Sequence, residues 1–403
     1  MRHVTVSGTN ALTLKGNVPG FASGTRNLFF PTNGSCTVRL GKGLTLKLPG
    51  DRYFSGNGTL FIDALVSGAG GVYPNYNYPY GYQPVIVLRN DSSTFTGAIG
   101  GDCGRIYFTS IADKGVPSAL GAGTYIGLNN FHIYYNGSRN RFSNRNFSFM
   151  NGNVGVINNS ACGGLNLTGT VSTSYKITGL NLGGVSTGES LVTSTIKNND
   201  ASSYVKLSKL HSGTWRLTGN NTFTGNTNES YAVYLRGGTL LADYTNDVAG
   251  AGSNRLFLAG RNVEYSDARL VVLGKTGAGN TTWQELGTNG VGNNSHNVLA
   301  ANGNGGGGTT VRLNSLYIPN DYAFFRMERS GIAAIGAADA FPSDAGSVRT
   351  VNGMLMSYSG QRANLFVKDP DGRVGFAAQN DAFEFVRHTD TLALTESNGT
   401  KTD

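Results

Sequence analysis

The chain has 403 residues with a formal net charge of +8; glycine supplies 59 of them and proline only 10. So few prolines exclude collagen and a proline-rich disordered chain. Charged residues make up 14% of the chain, against a norm of about 25%, and no run longer than about two turns has the 3.6-residue period of an amphipathic helix. Abundant glycine and asparagine suit tight turns, and abundant threonine, tyrosine and phenylalanine suit strands. The composition therefore predicts an all-β protein.

The first 72 residues predict short strands separated by glycine and asparagine turns. Apolar and polar residues alternate in several segments, which is typical of strands with one buried and one solvent-exposed face. These segments are 12–14, 37–40, 44–48 and 59–62.

Residues 73–84 interrupt this pattern with five tyrosines and three prolines. Such a composition does not suit a regular strand, and we expect a protruding loop. Tyrosine offers a large contact area at low entropy cost, so one interpretation is a contact loop for a ligand or another subunit. The other is a loop packed back on the wall of the fold. The tyrosines are Tyr73, Tyr76, Tyr78, Tyr80 and Tyr82.

One phrase occurs twice further along the chain. Residues 93–97 are Ser-Thr-Phe-Thr-Gly and residues 221–225 are Asn-Thr-Phe-Thr-Gly, so Phe95 and Phe223 are 128 positions apart. A Gly-Ala-Gly triplet follows each copy, at 121–123 and 250–252. Because a long block repeats almost in register, we expect a repeat architecture in which each unit packs on its neighbours.

The second copy belongs to a longer motif over residues 207–241. Its matching residues are Leu207, Lys209, Gly213, Thr214, Trp215, Leu217, Gly219, Asn221, Phe223, Gly225 and residues 237–240; Phe95 and Gly97 match in the first copy. This motif resembles the autotransporter-associated (passenger-associated) β-strand repeat of large bacterial surface proteins. The resemblance covers residues 85–320, most clearly 85–168 and 207–260. His211 departs from it, because small residues or glycine are usual at that position.

Taken together, the repeats and the resemblance predict a right-handed parallel β-helix, a single elongated β-solenoid with loop insertions. Residues 1–320 form the solenoid, and residues 321–403 are further rungs, a cap or a link to a next repeat. Within the motif, Trp215 and Leu217 point inwards and Thr214 and Arg216 outwards. At roughly 20 to 25 residues per rung, the chain would make about 16 to 20 rungs.

Residues that could carry chemistry are sparse. The five histidines are far apart and no Cys-x-x-Cys occurs, so we expect no metal and no cofactor. Asp369 and Asp371 lie in an Asp-Pro-Asp-Gly sequence that predicts a turn. Cys36, Cys103 and Cys162 are too few for a disulfide scaffold, although Cys103 and Cys162 would bridge if their rungs stack.

The positive charge is dispersed rather than clustered. The tightest basic group is Arg139, Arg141 and Arg145, interleaved with phenylalanines; we expect a solvated strand face there and no nucleic-acid partner. No segment reaches the 18 or so consecutive apolar residues of a membrane helix. The chain opens into strand-like sequence without an apolar signal segment. The expected extracellular location therefore rests on the resemblance to bacterial surface proteins alone.

The predicted function is that of a non-enzymatic extracellular structural protein of a bacterial surface: a stalk, coat, adhesin or filament subunit. Its expected partners are further copies, in fibres or a surface layer, and a glycan or host-surface ligand. The alternative is a carbohydrate-active β-helix enzyme or a tailspike-like depolymerase. Three or more carboxylates on one face of consecutive rungs would favour the enzyme.

Overall fold

The structure is a computed structural model. It describes residues 3–6, 11–13, 27–29, 37–56, 58–75, 83–173, 177–200, 202–223, 231–246, 262–318, 323–337, 349–351, 354–356, 364–380 and 382–388. In the first three of these segments, at residue 177, at 349–351 and at 354–356, the description covers the backbone alone.

The described residues contain strands and no helix. The first part of the chain comprises β1 (His3–Val6), β2 (Ala11–Thr13), β3 (Asn27–Phe29), β4 (Thr37–Leu40), β5 (Thr45–Lys47), β6 (Arg52–Ser55), β7 (Thr59–Ile62), β8 (Leu65–Ser67), β9 (Val72–Pro74), β10 (Val85–Leu88) and β11 (Arg105–Phe108). The middle part comprises β12 (Tyr125–Asn129), β13 (His132–Tyr135), β14 (Arg141–Ser143), β15 (Asn146–Asn158), β16 (Leu165–Leu167), β17 (Val171–Thr173), β18 (Ile177–Gly184), β19 (Ser190–Val192), β20 (Tyr204–Leu210), β21 (Thr214–Leu217) and β22 (Val233–Asp243). The last part comprises β23 (Val263–Leu273), β24 (Gly277–Val291), β25 (His296–Asn302), β26 (Gly306–Tyr317), β27 (Phe324–Ser330), β28 (Ala333–Ala337), β29 (Arg349–Val351), β30 (Met354–Met356), β31 (Leu365–Lys368), β32 (Val374–Gln379) and β33 (Phe385–Arg387).

Strands one turn apart pair in parallel, so the chain winds as a β-solenoid of about ten turns. The predicted all-β parallel solenoid is confirmed, but the predicted 16 to 20 rungs are too many. One turn advances the chain by as few as 20 residues, from Val85 to Arg105, and by as many as 40, from Phe325 to Leu365. The turns are longer than expected because loops of different lengths join the strands, and the last strands leave the coil.

The interior of the coil is a column of stacked side chains. On one wall the register aligns, turn after turn, Leu60, Ile86, Ile106, Ile133, Val156 and Leu182. All six are at most 2% exposed, and burial of each stabilises the fold by about 1.5–3 kcal/mol. Strict alternation, as in the buried and half-buried pattern of β20, keeps the intervening side chains on the outer face.

The parallel stacking ends with antiparallel strands. Strand β31 still pairs in parallel with β27, but β32 folds back on β31 and β33 folds back on β32. The turn between β31 and β32 closes with hydrogen bonds between Asp369 and Arg373 and between Gly372 and Asp369. Gly372 takes a φ of 87° there, a conformation that glycine adopts without strain.

Cys103 and Cys162 are free thiols, so the suggested bridge between them is wrong. Cys103 Sγ accepts a hydrogen bond from Asn130, whereas Cys162 Sγ lies against the Ser138 carbonyl. Asn130 and Ser138 are at opposite ends of β13, so the two thiols lie at different corners of the coil. Cys36 lies outside the described residues.

In the part of the chain that the structure describes, no helix has the length and apolarity needed to cross a membrane.

Candidate functional site

The apolar residues of the repeat motif lie inside the coil. Leu217, Phe223 and Phe95 are fully buried, and Trp215 is 1% exposed. The Trp215 indole N–H donates a hydrogen bond of 2.9 Å to the carbonyl of Gly183 on the preceding turn. These residues therefore build the wall of the solenoid and are not available to a ligand.

The glycines of the motif allow neighbouring turns to approach. A Cβ at Gly219 would lie 2.2 Å from the Ser194 carbonyl oxygen, and one at Gly97 would lie 2.1 Å from the Gly71 nitrogen. A Cβ at Gly213 would lie 2.9 Å from the Gly184 carbonyl oxygen. Any side chain at Gly97 or Gly219 would push two backbones apart.

The remaining motif residues also connect turns. Asn221 is buried, and its Oδ1 accepts a hydrogen bond of 2.8 Å from the Ile196 backbone N–H. Half-buried Thr214 pairs with Thr239 of the next turn. Gly225 lies outside the described residues.

Lys209, a residue of the motif, lies inside the coil, which the composition of the chain did not indicate. It occupies the inward stack between Leu182 and Leu235 and is fully buried. Burial lowers the pKa of its ammonium to about 7. Its Nζ donates to the carbonyls of Leu210 at 2.9 Å, His211 at 2.7 Å and Gly237 at 3.0 Å.

His211 lies at the same corner with a φ of 59°. This left-handed conformation disfavours residues with a Cβ. Its Nδ1 accepts a hydrogen bond of 3.1 Å from the Gly184 N–H. The histidine thus holds a strained corner against the preceding turn.

Of the five tyrosines in the predicted contact loop, only Tyr73 is among the described residues. Its ring stacks on Tyr53 with a centroid distance of 4.8 Å. Burial, together with the nearby Asp51 carboxylate, raises the pKa of Tyr73 to about 12. Tyr73 therefore packs along the wall, while Tyr76, Tyr78, Tyr80 and Tyr82 lie outside the described residues.

The predicted solvated face at 139–145 holds only in part: Arg139 is exposed, whereas Arg145 lies inside. Arg145 is 1% exposed, and its guanidinium donates to carbonyls of the 116–121 loop, among them that of Leu120 at 2.7 Å. Arg141 is paired with Asp91 at 3.0 Å. The pattern of residue types could not show that one arginine points inwards to order a loop.

A surface depression with polar and aromatic residues follows strand β27, and we call it the β27 groove. Its first half is a cavity of about 470 Å³ lined by His296, Asn297, Val298, Phe324, Arg326, Phe366 and Val374. Its second half is a cavity of about 360 Å³ lined by Arg269, Val271, residues 300–302, Glu328, Arg329, Ser330 and residues 368–372. Both volumes lie within the range typical of small-ligand sites, about 300–1,000 Å³.

Aromatic rings form the wall of the first half. Phe324 stacks on Phe366 with centroids 6.2 Å apart, and Phe366 stacks on Phe376 at 5.2 Å. His296 meets the Phe324 ring edge-on at 4.8 Å. Phe324 remains 36% exposed and Val374 53% exposed, so this ladder presents an apolar strip to solvent.

Arginines hold the carboxylates of the second half. Glu328 is paired with Arg269 at 2.6 Å and with Arg326 at 2.7 Å. Burial alone would raise the pKa of Glu328, but the two arginines outweigh it and the pKa is lowered. Asp369 is paired with Arg329 at 2.5 Å and Arg387 at 3.0 Å.

Asp371, in the turn of the hairpin, is paired with Arg373. Hydrogen bonds from this arginine lower the pKa of the Asp371 carboxyl and raise that of the guanidinium. Guanidinium groups therefore pair with all three carboxylates that line the groove.

Sequence reasoning missed this groove. It placed Asp369 and Asp371 in a turn, where they are, but not beside Glu328. The groove residues come from four segments that meet only when the turns stack, as in the register Arg269, Val298, Arg326 and Phe366. The steps of this register are 29, 28 and 40 residues, and Val298 is neither charged nor aromatic, so no regular spacing of charged or aromatic residues signalled the groove.

Among the described residues no group of three or more histidine, cysteine, aspartate and glutamate side chains is placed to hold a metal ion. Comparisons of the chain with protein-family models, with curated proteins and with solved structures found no match.

Proposed function

We propose that this chain is a non-enzymatic structural repeat protein of a bacterial surface, exported from the cell, where it serves as a stalk, coat, adhesin or filament subunit. The observation that carries the proposal is the state of the carboxylates in the β27 groove. Glu328 and Asp369 are each bound by two arginines. A general acid must carry a proton near neutral pH. Burial alone would raise the pKa of Glu328, but its two arginines lower it and favour the charged form.

Two further features support a scaffold. Stacked apolar side chains fill the interior of the coil, so each further turn of the chain lengthens the solenoid wall. The likeness of residues 207–241 to the passenger-associated repeat supports the surface location, because such repeats belong to exported proteins.

The second candidate is a carbohydrate-active enzyme, and one observation favours it. Glu328 on β27 and Asp369 and Asp371 in the turn after β31 line the same cavity, which is the carboxylate grouping expected of such an enzyme. The pairing of each with arginine weighs against it.

The experiment that separates the two is an activity screen on the purified chain. Neutral and uronate polysaccharides are incubated with the protein, and new reducing ends and the absorbance of unsaturated uronate are recorded over a day. We expect no product above that of a heat-treated sample. Product that disappears in the Glu328→Gln variant would establish the enzyme and overturn the scaffold.

Self-association into fibres or a surface layer is part of the proposal. A parallel stack offers strand edges at its ends, and contacts that do not close on themselves generate filaments. Electron microscopy over a hundredfold range of concentration measures this directly. Single rods at every concentration would remove the filament form of the proposal.

A further inference from the structure

The β27 groove has the features of a binding site that no catalytic role explains. It combines an exposed apolar strip in one half with a row of charged side chains in the other. We propose that the groove binds an acidic oligosaccharide, a chain of sugar rings that carry carboxylates. This inference rests on the proposed function, in which the chain displays a surface without cleaving its ligand.

The backbone of the groove excludes a peptide added as a strand. Strand β27 forms the floor, and it is paired in parallel with β25 on one side and β31 on the other. Its N–H and C=O groups are therefore used within the sheet, and the main-chain pairing that drives strand addition is not offered. Recognition has to come from side chains, which suits a ligand rich in hydroxyl and carboxylate groups.

The apolar half fits the ring of a sugar. Phe324, Phe366 and Val374 present aromatic and aliphatic carbon along one side. The C–H groups of a pyranose form an apolar face of similar size, and such a face packs on aromatic carbon while its hydroxyls point to the polar half.

The charge of the groove selects an acidic ligand. Each of its three carboxylates is paired with at least one arginine. Six cationic side chains line the groove or pair with its carboxylates: Arg269, Arg326, Arg329, Lys368, Arg373 and Arg387. Among the described residues the Lys368 ammonium has no hydrogen-bond or ion-pair partner. A surplus of positive charge beside a free ammonium attracts carboxylates and disfavours cationic ligands.

Binding is tested by calorimetry on the whole chain with hexamers of galacturonate, mannuronate, guluronate and hyaluronate. Methyl-esterified galacturonate hexamer is the matched neutral probe, and a glutamate hexapeptide is the acidic peptide probe. We expect at least one uronate hexamer to bind, with affinity that falls as salt rises. The methyl ester and the hexapeptide should bind at least roughly tenfold more weakly.

Two variants locate the site. Lys368→Gln removes the free ammonium and Phe366→Ala removes the centre of the aromatic ladder; each should weaken uronate binding roughly tenfold or more. Trp283→Ala is the control, since Trp283 is an exposed aromatic residue on another strand. Circular dichroism checks the fold of each variant. If Phe366→Ala does not fold, the binding result for Lys368→Gln, which alters only a surface group, decides the test.

The possible results are distinct. No binding of any uronate, equal binding of the methyl ester or the hexapeptide, or unchanged binding in Lys368→Gln overturns the inference. Cleavage of a bound hexamer, read from new reducing ends in the same sample, overturns the proposed function but leaves the groove as the saccharide site. Absence of both binding and cleavage overturns this inference alone.

Discussion

Lys209 stacks directly on Leu182 inside the coil, at a position where every earlier turn on this wall, from Leu60 onwards, places an aliphatic side chain. Its ammonium does not reach solvent but bends to a corner and binds three backbone carbonyls. A charged residue thus replaces an apolar one without leaving those carbonyls unpaired.

Lys209 should make stability depend on pH. Its pKa is about 7 in the folded chain, because of burial, and near 10.5 in the unfolded chain. Between these values the unfolded chain binds a proton that the folded chain lacks, so stability rises as pH increases from about 7 and is constant below. Denaturation midpoints in urea at pH 6, 7.5 and 9 should rise more for the wild type than for Lys209→Met. Lys206→Met, on the outer face of the same strand, should follow the wild type; an identical profile in Lys209→Met would contradict the prediction.

Gly97→Ala should be strongly destabilising. The added Cβ would lie 2.1 Å from the Gly71 nitrogen and 2.2 Å from the Gly70 carbonyl carbon, so two turns must separate. We expect a loss of about 2–3 kcal/mol in the free energy of unfolding. Gly279→Ala is the control because nothing lies within 4 Å of its Cβ; it should change stability by less than about 0.5 kcal/mol. Similar effects of the two substitutions would show that the turns are not in close contact at Gly97.

Trp215→Phe should cost about 2–3 kcal/mol, since it leaves a cavity and removes the hydrogen bond to the Gly183 carbonyl. Trp283→Phe is the matched substitution at a 59% exposed position, and its effect should stay within about 0.5 kcal/mol. Both are measured by chemical denaturation at pH 7. A larger loss at Trp283 would mean that the assignment of inner and outer faces is wrong.

The two described cysteines should differ in reactivity. Cys162 is exposed, whereas Cys103 is buried, and burial raises the pKa of its thiol. Because the thiolate is the reactive form, a maleimide should modify Cys162 at least roughly tenfold faster than Cys103 in the folded protein. Peptide mapping by mass spectrometry of the Cys36→Ser variant gives both rates. If neither thiol reacts until a reductant is added, the two cysteines form a disulfide and the prediction is contradicted.

Local pattern was sufficient for much of the fold. Alternation around Trp215 predicts which side chains face inwards, and these positions are buried because a strand of period two has only two faces to choose between. The repeated phrase around Phe95 and Phe223 predicts stacked turns. Both inferences use residues that are neighbours in sequence, where strand geometry alone relates one side chain to the next.

The groove and the buried lysine were decided only by the tertiary structure. Arg326 meets Glu328 within one strand, but Arg269 reaches the same carboxylate from two turns away, and that contact depends on the length of every loop between them. Lys209 faces inwards by the same alternation as its neighbours, yet its carbonyl partners include Gly237 of the next turn. The sequence by itself determined that the chain coils and which face of each strand is buried; the register between distant turns, set by variable loops, decided which outward residues come together.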